Sequence, residues 1–581
     1  MIKETKMKAG EIFRETIKRN GRPERILKQY EGLEFVFGDP ISAKLNGGMK
    51  RGTTFINRWG VTIDYPETAP GPMPHITEET KVLKDITRWR DYVKVPDISG
   101  CADMDWSAAL KRADEIRRRG NLVCVLMGTG LFEQCHYLMG FEDTLSNLYE
   151  HPDEMKELID CIYDFRMEYL MMIIDKLHPD AVLSHDDWGT KDALFMKADM
   201  WREFFKEKYR GFYGYMRSKD VIAIHHADSY CAPIVDDMHE IGIQVWQGAL
   251  PENDIPALLR QTDGKLVYMG GIGAAIDRAD STEEEVRTYV RNVLDECAAY
   301  GHFIPCITYG LPGAVYRNID PWIDRTIDEY NSVLHAPNFR RPSARRTARS
   351  TIRETGAEET AQQESSDISI LADIRKALKQ GQRRKVLKLT NEALSAGSKA
   401  QDILNGGLIR GMTELGDDFS KNRAFVPEML MAAKCMTAAT EVLKPHLVSA
   451  GVEPIGKVCL GTVKGDMHDI GKNLVKIMME GSGITVVDLG ADVEPERFIQ
   501  AAIDEKCDII ACSALLTTTM GEMRKVVELA KEAGIRDKVK IMIGGAPISQ
   551  AYCDEIGADI YTDDAAQAAR AAAEAIRSAG I

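Results

Sequence analysis

Short apolar runs alternate with longer amphipathic stretches over much of the first half of the chain. The apolar runs, typical of buried strands, fall at 122–127, 181–184, 221–224, 242–246, 266–269 and 302–305. Apolar residues recur at helical spacing in the intervening segments, for example 153–177, 198–216 and 282–300. Such repeated strand–helix units predict a (β/α)8 TIM-type barrel. Residues 1–100 are less regular and richer in Gly and Pro, and they are expected to form a helical, loop-rich cap.

The pattern changes after residue 366. Residues 369–447 are helical throughout and predict a small helical bundle. From residue 456 to the end, five short apolar runs alternate with five helical segments, which is typical of a flavodoxin-like, Rossmann-type sheet. The expected fold class is therefore α/β, with a barrel at 1–335, a helical bundle at 367–450 and the second sheet at 451–581.

Between the two halves, residues 336–366 contain almost nothing that could be buried. Six arginines occupy the first part of this segment, and polar and acidic residues follow them. This composition cannot form a core, so we predict a flexible linker.

Composition limits the possible partners and compartment of the chain. The 581 residues carry a net charge of -15, which disfavours nucleic acid or an anionic membrane as the main partner. No apolar run is long enough to span a bilayer, and the first residues do not form a signal peptide. The 12 cysteines have no short-spaced framework, so we expect reduced thiols in a cytoplasmic protein.

The chemistry of the second half centres on Asp466, His468 and Gly471, which lie in the loop after the first strand of the sheet. A Ser-Ala-Leu-Leu-Thr-Thr-Thr segment follows the strand that ends near residue 512, and Gly544-Gly545 follows the next one. Ligands bind at these strand ends in open α/β sheets. Taken singly, each feature has an ordinary alternative: a surface loop histidine, a polar loop or a tight turn.

Together these residues resemble the Asp-x-His-x-x-Gly signature and later segments of methionine synthase-type cobalamin-binding domains, over about residues 369–581. The resemblance implies that His468 is the lower cobalt ligand, that Asp466 orients it and that Thr519 extends the hydrogen-bond relay. It also implies that Gly471 lets the backbone pass close to the corrinoid. The slot for the nucleotide tail would be lined by Ser513, Leu515, Thr517, Gly544 and Gly545. The preceding bundle would cover the upper face of the corrin ring.

In the first half, polar residues cluster after the predicted barrel strands, where barrel active sites lie. They include Glu133, Asp187, His226, Asp228 and Cys306. Together with the segment at residues 22–25, they resemble methyltransferases related to uroporphyrinogen decarboxylase, over about residues 5–335. The resemblance implies Glu133 and Asp187 as catalytic acids, although acids at a barrel mouth also hold loops or cap helices.

A possible zinc site is the second implication of that resemblance. Zinc-dependent relatives that methylate thiols have His-x-Cys followed by a distant Cys, whereas this chain has Asp228 in the middle position. His226, Asp228 and Cys306 remain possible zinc ligands with an open coordination position. The alternative is a hydrogen-bonded cluster without metal. The departure at Asp228 disfavours a thiol substrate.

The two resemblances predict a corrinoid-dependent methyltransferase fused to its own carrier. It would move a methyl group from a small donor to Co(I) of the corrinoid, with a methoxylated aromatic as the first choice. A methyl halide is the alternative, because chloromethane methyltransferase joins the same modules. The expected partners are a separate tetrahydrofolate methyltransferase and a reductive activator of the corrinoid. A uroporphyrinogen decarboxylase and a non-catalytic cobalamin sensor or store are less favoured hypotheses.

Overall fold

The computed structural model describes residues 7–579 apart from a set of gaps. The gaps are Arg22, Gly48, 68–70, Ala279, 308–317, 335–365, Asn422, 450–454, 467–469, 516–518, Ala546 and Asp563. The chain divides into two compact units, Met1–Thr347 and Ala348–Ile581, so the boundary falls inside the predicted linker. The linker itself lies outside the described residues.

The first unit is built around a parallel sheet of seven strands in the order β1-β5-β6-β7-β8-β9-β10. These strands are β1 (Leu33–Phe35), β5 (Leu122–Met127), β6 (Ala181–His185), β7 (Ile222–His226), β8 (Val245–Ala249), β9 (Val267–Ile272) and β10 (Phe303–Ile307). A three-stranded antiparallel sheet comes from the amino-terminal segment, with β2 (Thr53–Ile56), β3 (Thr62–Tyr65) and β4 (Met73–Pro74). The barrel prediction is confirmed, with seven parallel strands in the described part of the chain.

Helices of the first unit connect successive strands. They are α1 (Ala9–Ile17), α2 (Pro40–Leu45), α3 (Trp89–Tyr92), α4 (Ser107–Arg119), α5 (Leu131–Met139), α6 (Phe141–Glu150), α7 (Pro152–Leu177), α8 (Ala198–Trp201), α9 (Glu207–Ser218), α10 (Val235–Glu240), α11 (Ile255–Thr262), α12 (Glu283–Cys297) and α13 (Ile319–Leu334). A π-helical turn, Arg202–Lys206, joins α8 to α9.

Every second residue of the barrel strands points inward, because side chains alternate across a strand. The inward positions form one buried apolar cluster that includes Leu122, Cys124, Leu183, Ile224 and Met269. Continuing the same alternation to the carboxyl ends of β5, β6, β7 and β8 leads to Leu126, His185, His226 and Gln247. The apolar core therefore ends in a layer of mainly polar side chains at the barrel mouth.

The second unit contains a helical bundle followed by a parallel sheet of five strands in the order β12-β11-β13-β14-β15. The strands are β11 (Lys457–Val463), β12 (Thr485–Val493), β13 (Ile509–Ser513), β14 (Lys540–Gly544) and β15 (Ile560–Tyr561). The bundle consists of α14 (Ser366–Lys379), α15 (Arg383–Ser395), α16 (Ala400–Asp402), α17 (Arg410–Ser420) and α18 (Val426–Ser449), with a π-helical segment, Ile403–Ile409, joining α16 to α17. The sheet is flanked by α19 (Ile470–Gly481), α20 (Pro495–Asp504), α21 (Met520–Glu532), α22 (Gln550–Ile556) and α23 (Ala565–Ala579).

The bundle packs directly on the sheet domain. Met412 of α17 lies against Gly481 of α19, at a distance that leaves no room for a Cβ there. Asp417 of the same helix forms an ion pair with Arg570 of α23. The predicted bundle and the flavodoxin-like domain, with its five strands and five helices, therefore form one unit.

All 12 cysteines are free thiols, and all except Cys161 are buried. Among the helices described by the structure, none is long and apolar enough to cross a membrane.

Candidate active site and corrinoid site

Two histidines at the carboxyl ends of β6 and β7 form the centre of the barrel mouth. His185 and His226 are paired in register, and their rings stack with centroids 4.3 Å apart and planes 14° apart. Gln247 Oε1 lies beside Nδ1 of His226. Because an amide oxygen can only accept, Nδ1 of His226 carries the proton and Nε2 of the neutral ring is left unprotonated.

Glu133 holds the other histidine in the same way. It lies in the first turn of α5, next to the strand end of β5, and its Oε2 is 2.8 Å from Nδ1 of His185. Burial opposes ionisation of Glu133, but the charge of His185 outweighs it and lowers the pKa of the carboxyl to about 2. Burial disfavours a charged His185, but Glu133 outweighs it and raises the pKa of the imidazole to about 10. The pair is therefore a carboxylate and an imidazolium at neutral pH.

His226 behaves differently from its neighbour. Burial, reinforced by the positive charge of His185, lowers the pKa of His226 to about 3. Its imidazole is neutral at physiological pH, which is the state required of a metal ligand.

Two aspartates complete the mouth. Asp187 Oδ1 accepts hydrogen bonds from the backbone N–H of Asp228 at 2.7 Å and from the hydroxyl of Ser229 at 3.4 Å. Burial is the main reason that the pKa of Asp187 rises to about 6. Asp228 Oδ2 lies 3.8 Å from His226 Nε2, while its Oδ1 is buried without a hydrogen-bond partner in the described structure. Burial and the neighbouring Asp187 also raise the pKa of Asp228.

Asp186 lies behind these groups and is completely buried. It accepts hydrogen bonds from the backbone N–H groups of Phe132 and Glu133, at 3.2 and 2.9 Å. The indole of Trp188 and the hydroxyl of Tyr209 donate to the same carboxylate. Asp186 thus fixes the first turn of α5 and, with it, the position of Glu133.

The corrinoid-type residues of the second unit also gather at strand ends. Asp466 follows β11 and is completely buried. Its Oδ2 accepts hydrogen bonds from the backbone N–H of Leu515 at 2.7 Å and from the hydroxyl of Thr519 at 3.0 Å. The structure therefore joins Asp466, Leu515 and Thr519 in one hydrogen-bonded group, while His468 and Thr517 lie outside the described residues.

Two glycines of this site, Gly471 and Gly544, border space that no atom of the described residues fills. A Cβ added at Gly471 would meet nothing within 4 Å, and one at Gly544 would meet only Thr562 O, at 3.8 Å. Gly545 has a φ of +130°, and a Cβ there would lie 1.8 Å from Ala514 O. Ser513 is paired with Gly544 in the sheet, and Leu515 remains 45% exposed beside them. An exposed Leu next to an open, glycine-lined strand edge is typical of a ligand site.

Two aspartates of the edge strand β12 bind the segments before and after the loop that contains His468. Before the loop, Asp492 accepts a hydrogen bond from the N–H of Gly465 at 2.6 Å, and its own N–H donates to Asp466 O at 3.0 Å. After the loop, the buried Lys472 binds Asp488 at 2.6 Å. The backbone at Asp492 is left-handed, with a φ of +54°.

Comparison with known proteins agrees with this geometry. Residues 456–573 and 370–444 match two B12 binding domain families. Trimethylamine corrinoid protein 2 of Methanosarcina acetivorans is 45% identical over 190 residues, which cover 32% of this chain and 88% of that protein. The dimethylamine corrinoid protein of Methanosarcina barkeri is 44% identical over 174 residues, which cover 30% of this chain and 82% of that protein.

The chain belongs to the cobalamin-binding corrinoid proteins. Residues 53–330 match the uroporphyrinogen decarboxylase (URO-D) family, so the corrinoid unit follows a URO-D-type barrel. Among solved structures, the methanol:cobalamin methyltransferase complex MtaBC from Methanosarcina barkeri is 29% identical, covering 38% of this chain and 86% of that one, with a TM-score of 0.33. The architecture is that of a corrinoid-dependent methyltransferase fusion, and cobalamin is its cofactor.

The corrinoid unit has features that fit this cofactor. The glycine-lined edge at Gly471 and Gly544 provides unfilled space, and Leu515 offers an apolar contact. Asp466 is already held by two donors, so its carboxylate is preoriented. A preoriented carboxylate is what a ligating imidazole needs as its outer partner.

The barrel gathers a possible metal site that only partly matches the sequence prediction. In the described part of the chain, one group of His, Cys, Asp or Glu side chains has its potential ligand atoms within 4.8 Å of one another. Its members are His185, Asp187 and His226. Oδ2 of Asp228 lies 3.8 Å from Nε2 of His226, so Asp228 is a candidate for a further ligand. Cys306 is instead part of the buried barrel core and is not in this group.

Three residues of the barrel site were not chosen from the sequence. His185, Asp186 and Gln247 each contact a residue that was chosen. His185 could have been chosen from the sequence. It follows a predicted strand and occupies an inward-facing position at the carboxyl end of that strand, as His226 does after the next strand.

Proposed function

We propose that this chain moves a methyl group from a small donor bound at the barrel mouth to its own corrinoid, with a methoxylated aromatic as the donor. The observation that carries this proposal is the combination, in one chain, of a His/Asp cluster at a barrel mouth with a corrinoid unit. When bound, the corrinoid supplies a reduced cobalt that is a strong nucleophile toward a methyl carbon.

Removal of a methyl group from an aryl ether leaves the bonding electron pair on the ether oxygen. That oxygen needs a proton or a Lewis acid, because a free phenolate is a costly leaving group. Asp187 is suited to donate this proton, since burial raises its pKa to about 6 and it therefore exchanges protons near neutral pH. Asp228, whose pKa is also raised, is the second candidate donor.

Zinc is a further way to stabilise the leaving oxygen. His185, His226 and Asp187, with Asp228 beside them, would hold the ion, which would supply Lewis acidity at the mouth. Glu133 and Gln247 would fix the two imidazoles by their Nδ1 atoms. Nε2 of the neutral His226 is then available to the ion, whereas His185, an imidazolium at neutral pH, would have to release its Nε2 proton on binding it. Glu133 is then a positioning residue that acts through His185, and the predicted set of His226, Asp228 and Cys306 is the alternative ligand group.

The expected methyl acceptor is tetrahydrofolate on a separate methyltransferase. Because the methyl group would leave without its bonding electrons, the cobalt would stay reduced through the cycle, and the reductive activator would act only after the cobalt has been oxidised outside it. Names of the corrinoid relatives suggest methylamines as a second donor class. Those relatives match only the carrier half, however, whereas the donor is selected by the barrel. Methyl halides remain the third class.

A donor panel tests the proposal. The reduced full-length holoprotein is offered guaiacol, trimethylamine, dimethylamine and chloromethane, and the corrinoid spectrum is followed for each. We expect a spectral change with guaiacol that is slowed at least about 100-fold by Asp187→Asn. Rapid change with a methylamine or chloromethane and none with guaiacol would replace the donor. No change with any donor would refute the methyltransferase proposal.

A further inference from the structure

An apolar surface lies beside the His/Asp cluster at the barrel mouth. Leu126 of β5 points inward, as Leu122 and Cys124 do, but these two are buried in the barrel core and Leu126 is 38% exposed. An inward-pointing residue that is exposed must face the open mouth. Leu126 is thus an uncovered apolar side chain inside the barrel rather than on its outer surface.

Phe37 extends this surface on the neighbouring strand. Phe35 of β1 packs against the barrel core, and β1 is paired with β5 at Phe35 and Cys124. Val36 continues the pairing through a hydrogen bond from its N–H to Cys124 O, so Phe37 follows on the inward side. The rings of Phe35 and Phe37 stack at 5.6 Å, and Phe37 remains 60% exposed.

The strand order places this surface next to the polar cluster. Strand β5 lies between β1 and β6, and Leu126 is in register with Leu183, two residues before His185. Neighbouring strands are about 4.8 Å apart and residues about 3.3 Å apart along a strand, so Leu126 and His185 are diagonal neighbours in the mouth, roughly 8 Å apart between Cα atoms and within reach of one bound ring. One side of the mouth is therefore aliphatic and aromatic, and the adjoining side carries the imidazoles and carboxyls.

We propose that Phe37 and Leu126 form the wall of the donor pocket that selects a methyl donor with an aromatic ring. The ring would lie on Phe37 and Leu126, with its ether oxygen directed at His185 and Asp187. This role rests on the proposed methyl transfer at the same site. A donor as small as chloromethane or a methylamine has no ring to cover such a surface, whereas an aryl ether buries both side chains.

Binding of guaiacol to the full-length holoprotein, with its cobalt oxidised and unreactive, tests the wall directly. We expect Phe37→Ala and Leu126→Ala to raise the dissociation constant for guaiacol about tenfold, as loss of an aromatic or apolar contact should. Met171→Ala is the matched control, because Met171 is similarly exposed, at 47%, but lies on α7 outside the barrel. This control should bind guaiacol as the wild type does.

A second variant and a second measurement guard against misfolding. Leu126→Trp fills the mouth without removing a core contact, so it should block guaiacol and lower the guaiacol-to-chloromethane ratio of kcat/KM at least tenfold. Unchanged guaiacol binding in all three wall variants would overturn the proposed wall. Transfer from chloromethane or a methylamine without any guaiacol binding would also overturn it, while leaving methyl transfer intact. Failure of every donor would instead refute the proposed function.

Discussion

At the residue scale, Gly544 and Gly545 are adjacent, but the lack of a side chain matters at each of them for a different reason. Gly545 is required by the protein itself, because it has a left-handed backbone and approaches Ala514 O closely. Gly544 faces open space, so only a ligand would need its lack of a side chain. The two positions therefore separate folding from corrinoid binding.

We expect Gly545→Ala to destabilise the corrinoid unit by about 2–4 kcal/mol, since both the backbone and the added Cβ are strained. Gly544→Ala should leave the stability of the apoprotein nearly unchanged and weaken corrinoid binding. Thermal unfolding of the apoprotein and titration with cobalamin measure the two effects. Equal corrinoid affinity of Gly544→Ala and wild type would show that the cofactor does not use this space.

A second residue-scale prediction concerns the metal ligands. We expect His185→Ala and His226→Ala to lower zinc affinity at least about 100-fold, and Gln247→Leu to lower it about tenfold by releasing the His226 ring. Cys306→Ser should change it little, because Cys306 is outside the gathered group. Metal content after dialysis against chelator provides the measurement. Loss of zinc in Cys306→Ser but not in His185→Ala would favour the ligand set predicted from sequence.

The sequence predicted the site residues that follow a recognisable strand or motif. Asp466 and Thr519, which the resemblance placed in one relay, are hydrogen-bonded in the structure because the strand ends bring them together, and their role toward the corrinoid stays a prediction. The sequence could not predict Gln247, nor that Asp186, in the polar segment after a predicted strand, would hold the first turn of α5, because both roles depend on which strand lies next to which. Side-chain contacts between β7 and β8 are set by tertiary packing, which a linear pattern does not contain.

At the element scale, β12 combines two functions. It forms the edge of the five-stranded sheet and, through Asp488 and Asp492, holds the segments on either side of the His468 loop. Burial opposes ionisation of Asp488, but Lys472 outweighs it and lowers the pKa of the carboxyl. A carboxyl with a lowered pKa in the folded protein stabilises the fold at pH values above the ordinary pKa of Asp, about 3.9. This stabilisation is lost as the pH falls from that value through the lowered pKa.

We expect Asp488→Asn to accelerate hydrogen exchange in β12 and the first turn of α19 about fivefold at pH 7, because Lys472 would lose its charged partner. The difference from the wild type should narrow as the pH falls through the lowered pKa of Asp488, below which the carboxyl is protonated in both the folded and the unfolded state. Lys476→Met removes only the longer, 3.3 Å contact and should have a smaller effect. A difference that grows at acidic pH would contradict this account.

Elements with strong periodicity were predicted well, and short ones were not. Strands such as β5 and β9 differ from their predicted limits by a few residues at most. In contrast, β1 has three residues and was missed, because so short a segment has no measurable alternation. The π-helical segments were also missed, since their hydrogen bonds depend on the packing of the whole helix.

At the scale of the whole molecule, each unit has its own hydrophobic core. Barrel residues form clusters entirely within the first unit, and the sheet domain forms one entirely within the second. Composition was the basis for predicting a linker at residues 336–366, because that segment lacks apolar residues. The chain divides between residues 347 and 348, within the predicted linker.

Because each unit has its own core, both units should stay folded when they are expressed separately. Methyl transfer between them should become slower. When residues 1–335 and 366–581 are expressed apart and mixed, we expect methyl transfer to become proportional to the concentration of the corrinoid unit. In the intact chain the rate should be independent of protein concentration, since a linker gives an effective concentration of about millimolar. Equal rates for mixed units and intact chain at micromolar concentration would show that tethering contributes nothing.

The burial of the cysteines has a consequence for a protein that handles electrophilic carbon. Thiolate is the strongest nucleophile among protein side chains, and it would compete for the group being moved. Burial, with Asp187 as a smaller influence, raises the pKa of Cys231 beside the barrel mouth, and burial also raises that of Cys512 at the corrinoid edge. Both thiols stay protonated and inaccessible. The two thiols nearest the reacting carbon are thereby protected from alkylation.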